Sequence, residues 1–216
     1  MTSGGREFLK WLAVLFMTGD HASKILHVGY VPVVTELGRI AFPLFALILA
    51  YNLAQPRADI EKSVKRLFFW GIVAAPIAAI AFQDVLPLNV LLSFSLAATC
   101  ILAIERRQWV FLAICSVPAP FFVDYQWSGL AVVLGAWIFW RNPRQWGLEP
   151  GVAAMLLLVL PALSLYVVNH NFWALLALPL IAVGRMPLPV PRTHRMFYFY
   201  YVTHLAFWAG ISYVAI

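Results

Sequence analysis

The sequence predicts an all-α protein: a polytopic transmembrane helical bundle of about nine spans (seven to nine), with the N-terminus inside and the C-terminus outside. Three observations carry that expectation. Hydrophobic residues make up 63% of the chain and charged residues only 11%, against roughly 25% charged in a soluble domain. The apolar residues gather in long runs separated by short polar links. When those runs are threaded back and forth, thirteen of the fifteen Lys and Arg fall on one side, the asymmetry that cytoplasmic loops carry.

The apolar runs are nine: 8–30, 38–54, 65–83, 88–104, 109–123, 127–140, 151–168, 171–184 and 196–216. A straight helix needs about 20 residues to cross a bilayer, with ~17 as a lower limit. The fifth, sixth and eighth runs are short by that measure, and the fifth also holds Pro118 and Pro120. They either use Trp109, Trp127 and Trp140 as interfacial caps or enter as a re-entrant pair. Losing the fifth and sixth together leaves the sidedness of the rest intact. The links that collect positive charge are Arg6 and Lys10, the 57–66 stretch, Arg106 with Arg107, Arg141 with Arg144, and Arg185 to Arg195. Only Lys24 and Arg39 face the other way, which makes the span number odd and puts Ile216 outside. The longest polar stretch, 55–66, is linker-sized, so the chain reads as one domain over 1–216. The first run carries Asp20, His21 and Lys24 and lacks a small-residue cleavage site, so it is expected to stay as a span and not to be removed.

Cys100 and Cys115 both fall inside apolar runs; two such thiols make neither a disulfide framework nor a metal motif. No metal is expected. The formal charge of +6 follows from loop orientation and gives no reason to expect nucleic acid.

The chemistry is concentrated in Met17-Thr18-Gly19-Asp20-His21-Ala22-Ser23-Lys24. Charges at membrane depth cost roughly 2.5–3.5 kcal/mol each even on mild insertion scales. An anchor would use Leu or Val there, so the stretch is expected to be a functional site; a structural ion pair between Asp20 and Lys24, four apart on one face, accounts for two of the groups and leaves His21 over. His21 lies thirteen residues beyond Phe8, roughly 20 Å along a helix. Neighbouring helical residues point about 100° apart, so Asp20 cannot orient His21. A second group from another helix, such as Asn89, Asp124 or Tyr201, is needed to hold the ring. Asp20 is expected to pair with Lys24 or Arg39.

Two further motifs join it. Gly38-Arg39-Ile40-Ala41-Phe42-Pro43-Leu44-Phe45 opens the second run, with Pro43 breaking the hydrogen-bond ladder and Arg39 placed to pair with Asp20 or to grip an anionic group. The last run reads Met196-Phe197-Tyr198-Phe199-Tyr200-Tyr201-Val202-Thr203-His204-Leu205. It puts a phenol on the face of His204, roughly 12 Å in. An aromatic belt with a core histidine accounts for that run as well as a site role does.

Together, Met17-x-x-Asp20-His21, Gly38-Arg39-x-Ala41-Phe42-Pro43-Leu44-Phe45 and Tyr201-x-x-His204-Leu205 resemble the TraX family, inner-membrane proteins associated with N-terminal acetylation of conjugative pilin. The chain is similar, more loosely, to the transmembrane acetyltransferases exemplified by heparan-alpha-glucosaminide N-acetyltransferase. The family has Tyr-Pro ahead of the terminal His-Leu where this chain has Tyr201-Val202-Thr203. The resemblance implies a single transmembrane acyltransferase-like domain in the bacterial inner membrane. It implies acetyl-CoA as donor and pilin or another surface polymer as the amine or hydroxyl acceptor.

Acetyl transfer needs a base for the acceptor proton and a donor to the thioester oxygen. His21 is the expected base or acetyl carrier, with Asp20 and His204 beside it as catalytic residues. Lys24, Arg39, Asn89, Asp124 and Tyr201 are expected to bind substrate. Arg66, Arg107, Arg144 and Arg195, on inner links, are candidates for the phosphates of the donor. The competing class is a non-enzymatic transporter or pilus-assembly accessory in which Asp20, His21 and His204 form a proton or solute path.

Overall fold

The computed structural model describes residues 1–142, 144, 147–193 and 195–214; Ile216 lies outside them. Among the described residues the chain is helical, with one isolated parallel bridge between Leu88 and Val123. The helices follow the nine apolar runs. They are α1 (Ser3–Ile25), α2 (Val34–Leu53), α3 (Ile60–Phe82) and α4 (Val90–Glu105), then α5 (Trp109–Phe122) and α6 (Gln126–Trp140). The last three are α7 (Pro150–Asn169), α8 (Trp173–Arg185) and α9 (Met196–Val214). By length and apolarity α2, α3 and α7 are long enough to cross a membrane, while α4, α5, α6 and α8 are shorter apolar helices. The long α1 and α9 carry the polar residues singled out above.

The chain clusters into two compact units. The first holds Met1–Phe45, Val73–Val85 and the chain from Trp173 on; the second holds Ala46–Ile72 and Leu86–Phe172.

In the first unit α1 starts at Thr2, whose hydroxyl accepts from the Gly5 amide at 3.0 Å and donates to the Met186 carbonyl at 2.6 Å. The Thr2 amide donates to Gly184 at 2.8 Å. A Cβ at Gly4 would overlap the Leu188 backbone and one at Gly5 the Gly184 backbone, so these glycines let α1 lie directly against the 184–190 strap. Glu7, buried, completes the clasp: Lys10 Nζ donates to it at 2.7 Å and the Thr193 hydroxyl at 2.6 Å. Higher up, Trp11 packs on Phe197 at 5.2 Å, Thr18 meets Tyr200 and His21 meets His204. Contact positions rise together on both helices, so α1 and α9 run parallel, side by side.

In the second unit the helices are joined by backbone-to-side-chain ties. Asn89 caps α4 by accepting from the Leu91 amide at 3.1 Å and donates to the Gly71 carbonyl at 2.8 Å. Ser93 donates to the Asp124 carbonyl at 2.7 Å. Asp124 also accepts from the Tyr125 amide at 2.9 Å, steadying a turn in which Tyr125 and Gln126 sit at φ 60° and 45°. Proline at 161 removes the amide that would bond the Leu157 carbonyl. The helix widens into a π turn over Met155–Val159, a common response to a broken ladder. Gly135 of α6 lies against that same carbonyl, where a Cβ would collide, and Ser128 donates to the Ser164 carbonyl at 3.0 Å.

At the polar end of this unit Glu61 pairs with Lys65 at 2.7 Å and with Arg106, and Glu105 with Arg141 at 2.8 Å. Ion pairs this exposed contribute little stability, and they leave the net positive balance of that end in place.

The clasp gives a stability test. Glu7→Ala removes a buried carboxylate and strips the Thr193 hydroxyl and Lys10 of their acceptor, a loss of about 1–3 kcal/mol. Unfolding in mixed micelles should show it, together with faster proteolysis of the 186–193 strap; Thr193→Val should lose less.

Candidate functional site

The site forms where α1, α9 and the end of α3 meet within the first unit. α1 brings His21 about 27 Å from its start at Ser3, at 1.5 Å per residue, on the face that meets α9. There Nδ1 of His21 lies 2.8 Å from Nε2 of His204. The rings are nearly coplanar, with an interplanar angle of 13° and centroids 5.1 Å apart. That separation is what two rings sharing an in-plane N–H···N bond require, so the contact is a hydrogen bond between ring edges. Nδ1 of His204 in turn lies 2.8 Å from the Tyr200 carbonyl oxygen.

The surroundings are aromatic. Phe82 stands edge-on to His21 at 5.2 Å, Tyr201 to both rings at 6.4 and 5.6 Å, and Tyr200 lies parallel to His204 at 5.2 Å. The Thr18 hydroxyl donates to the Val14 carbonyl at 2.7 Å. It therefore accepts from the Tyr200 phenol, also at 2.7 Å, which anchors that ring against α1. His204 and Tyr201 are buried, whereas His21 is half-buried. No further hydrogen bond to Nε2 of His21 is present among the described residues.

Asp20 points away from this pair, as adjacent helical positions must. Its Oδ2 takes Lys24 Nζ at 2.5 Å, and its side chain packs on Gly38 at the start of α2, where a Cβ would collide with it. The buried Oδ1 of Asp20 has no hydrogen-bond partner. Of the two cations expected for Asp20, the structure selects Lys24. Nε of Arg39 is buried without a partner, and among the described residues the guanidinium makes no ion pair.

The residue that holds His21 is His204, not one of the three suggested from sequence. Asn89 and Asp124 belong to the second unit, where each is engaged with backbone as described above; Tyr201 flanks the rings. Phe82 and Thr18 were not singled out from sequence. Thr18 could have been found, because it lies one turn before His21 on the same α1 face; Phe82 carried no signal of its own. The basic residues Arg66, Arg107, Arg144 and Arg195 are all exposed. The first three belong to the second unit and Arg195 to the first. Among the described residues no group of three or more His, Cys, Asp or Glu is arranged to hold a metal.

Fold and site together define a helical membrane protein with a histidine pair lodged between parallel first and ninth helices. The chain belongs to the TraX family: the family model described as TraX protein matches residues 5–212. It is similar to Protein TraX of Escherichia coli, 27% identical over 213 residues that cover 94% of this chain and 85% of that one. It is also similar to Protein TraX of Escherichia coli strain K12, 31% identical over 105 residues, covering 49% of this chain and 42% of that one. No solved structure matches it.

The packing of Gly38 on Asp20 can be tested without reference to activity. Gly38→Ala forces a methyl group into a close-packed contact and should cost about 1–3 kcal/mol in micelle unfolding. Gly210→Ala on α9, where a Cβ meets open space, should be neutral or slightly stabilising.

Proposed function

We propose that the protein is an integral inner-membrane acetyltransferase that moves an acetyl group from cytoplasmic acetyl-CoA to an amine or hydroxyl on the outer side, with the N-terminal amine of a pilin as the favoured acceptor. The observation that carries this reading is the half-buried His21, its ring held by His204 in an aromatic, water-poor setting. A residue that only packs has no need of an imidazole there, and general bases are drawn from such settings. Membership of the TraX family, to which pilin acetylation is attached, supports the choice of acceptor.

In this reading His21 takes the proton of the acceptor amine as the nitrogen bonds to the acetyl carbonyl carbon. Arg39, whose Nε has no partner among the described residues, faces the negative charge that develops on the carbonyl oxygen or on the acceptor. When the carbonyl re-forms and the C–S bond breaks, His21 returns the proton to the departing thiolate. Lys24 is committed to Asp20 and has the smaller share in this work. Tyr201 and Phe82 wall the ring and keep water off it. Arg66, Arg107, Arg144 and Arg195 are exposed cations suited to the donor's phosphates. The parallel course of α1 and α9 supports an odd number of crossings, and the positive-inside bias supports nine spans with the N-terminus in.

The experiment is acetyl transfer from radiolabelled acetyl-CoA by purified protein in nanodiscs, to a peptide carrying a free N-terminal amine. His21→Ala should keep coenzyme A binding and lose turnover by about 10²–10⁴-fold. Wild-type turnover in a well-folded His21→Ala sinks the assignment. Activity that needs an ion gradient and no thioester points to the transporter class. For topology, a reporter active only outside the cytoplasm should work when fused after the last residue; one that works only inside refutes the odd parity.

A further inference from the structure

The geometry points to a division of labour within the histidine pair: we infer that His204 is a positioning residue, locked by the Tyr200 carbonyl, that fixes the proton of His21 on Nδ1 and makes Nε2 of His21 the reacting atom. This rests on the acetyltransferase reading for its consequence, but the proton assignment follows from the contacts alone.

The chain of assignment starts at an atom that has no choice. A backbone carbonyl oxygen only accepts, so the nitrogen 2.8 Å from it, Nδ1 of His204, carries a hydrogen. In a neutral imidazole the other nitrogen is then a lone pair. That nitrogen, Nε2 of His204, faces Nδ1 of His21 at 2.8 Å, so Nδ1 of His21 must donate. By the same rule Nε2 of His21 is left with its lone pair. For the neutral pair this is the single arrangement in which every short contact has one hydrogen. The near-coplanar rings put that hydrogen on the line between the nitrogens.

The neighbours keep the arrangement from turning. Flipping His204 would face a carbon toward each of its two partners. Its ring plane is set by the parallel Tyr200 ring, whose phenol is itself tied to Thr18. Among the described residues no carboxylate bonds to either ring: Asp20, the acid nearest in sequence, is taken by Lys24. The pair therefore does with two imidazoles and a backbone carbonyl what an acid does in a Ser-His-Asp triad, where the orienting partner holds the base in one tautomer.

The assignment has consequences for the reaction. His204 has both ring nitrogens engaged and touches no substrate; it is not the base. Nε2 of His21 accepts the acceptor's proton, or, in a covalent route, bonds to the acetyl carbon as the C–S bond breaks. In either case positive charge arises on the His21 ring. The hydrogen on Nδ1 then becomes a stronger donor to His204, so the pair stabilises the charged state most when it forms.

The test uses full-length protein, ¹⁵N-labelled at histidine, in nanodiscs, with ring-nitrogen NMR as first readout and acetyl transfer as second. In the wild type, His21 and His204 should each show a protonated Nδ1 and an unprotonated Nε2. His204→Gln places an amide oxygen where Nε2 was, so it should hold the His21 tautomer and most of the transfer rate. His204→Leu offers no acceptor: His21 should become a mixture of tautomers, with transfer falling by at least ~10-fold and up to ~10⁴-fold, the loss seen when a triad base is left in the wrong tautomer. If the leucine variant does not fold, the wild-type and glutamine spectra decide alone. A proton on Nε2 of His21 in the wild type overturns the inference whatever the activity. So does a leucine variant with wild-type tautomer and rate. Correct tautomers in a protein that transfers no acetyl support the lock and overturn the acetyltransferase reading instead.

Discussion

The hydrogen bond between His21 and His204 joins residues 183 positions apart and sets the terms for the unit that contains it. Two imidazoles can share an in-plane bond only if their helices lie side by side at close range and in a definite register. α1 and α9 meet that demand through a ladder of contacts from Glu7 and Thr193 upward. Its base is the clasp in which Gly4 and Gly5 accept the 184–190 backbone at distances that no side chain would allow. A slip of one residue in either helix would turn a ring by about 100° and break the pair.

Such close approach is how helices associate in lipid, where burial of apolar surface gives no preference for a partner helix. Small residues do the work throughout this chain. Ala13, Ala46, Ala50, Ala74, Ala98 and Ala136 are all essentially inaccessible, while large apolar side chains such as Phe69, Ile80, Val110 and Val167 are exposed. That inversion of the soluble pattern suits a lipid-facing surface. Several polar groups that remain inside are answered by the protein itself: Ser93, Ser128 and Thr18 donate to backbone carbonyls, and Asp20 takes the lysine one turn away.

Two carbonyls of the long helices are met by a neighbouring helix. The widened turn before Pro161 presents the Leu157 carbonyl to Gly135. The Gly71 carbonyl on α3 is taken by Asn89, so a residue expected to bind substrate serves the packing of α3 on α4. The same economy governs Tyr200, whose phenol braces α1 through Thr18 while its carbonyl locks His204.

The class of protein and the course of the helices among the described residues were legible in the sequence, because the cost of charge in hydrocarbon acts residue by residue and leaves its mark on composition and on the spacing of apolar runs. That Asp20, His21, Arg39 and His204 are costly where they stand was legible for the same reason. What only the tertiary structure decided is who meets whom. Lys24 and Arg39 were equal candidates for Asp20 until the helical turn supplied one and Gly38 brought α2 in without an ion pair. Asn89 and Asp124 looked like site residues because polarity was their visible property, and they are spent on backbone groups of their own unit. The holder of His21 could not be read, because a side-chain contact across 183 residues depends on the facing and register of two helices. Those are set by glycine contacts and a buried glutamate at the far end of α1, which no periodicity in either helix encodes.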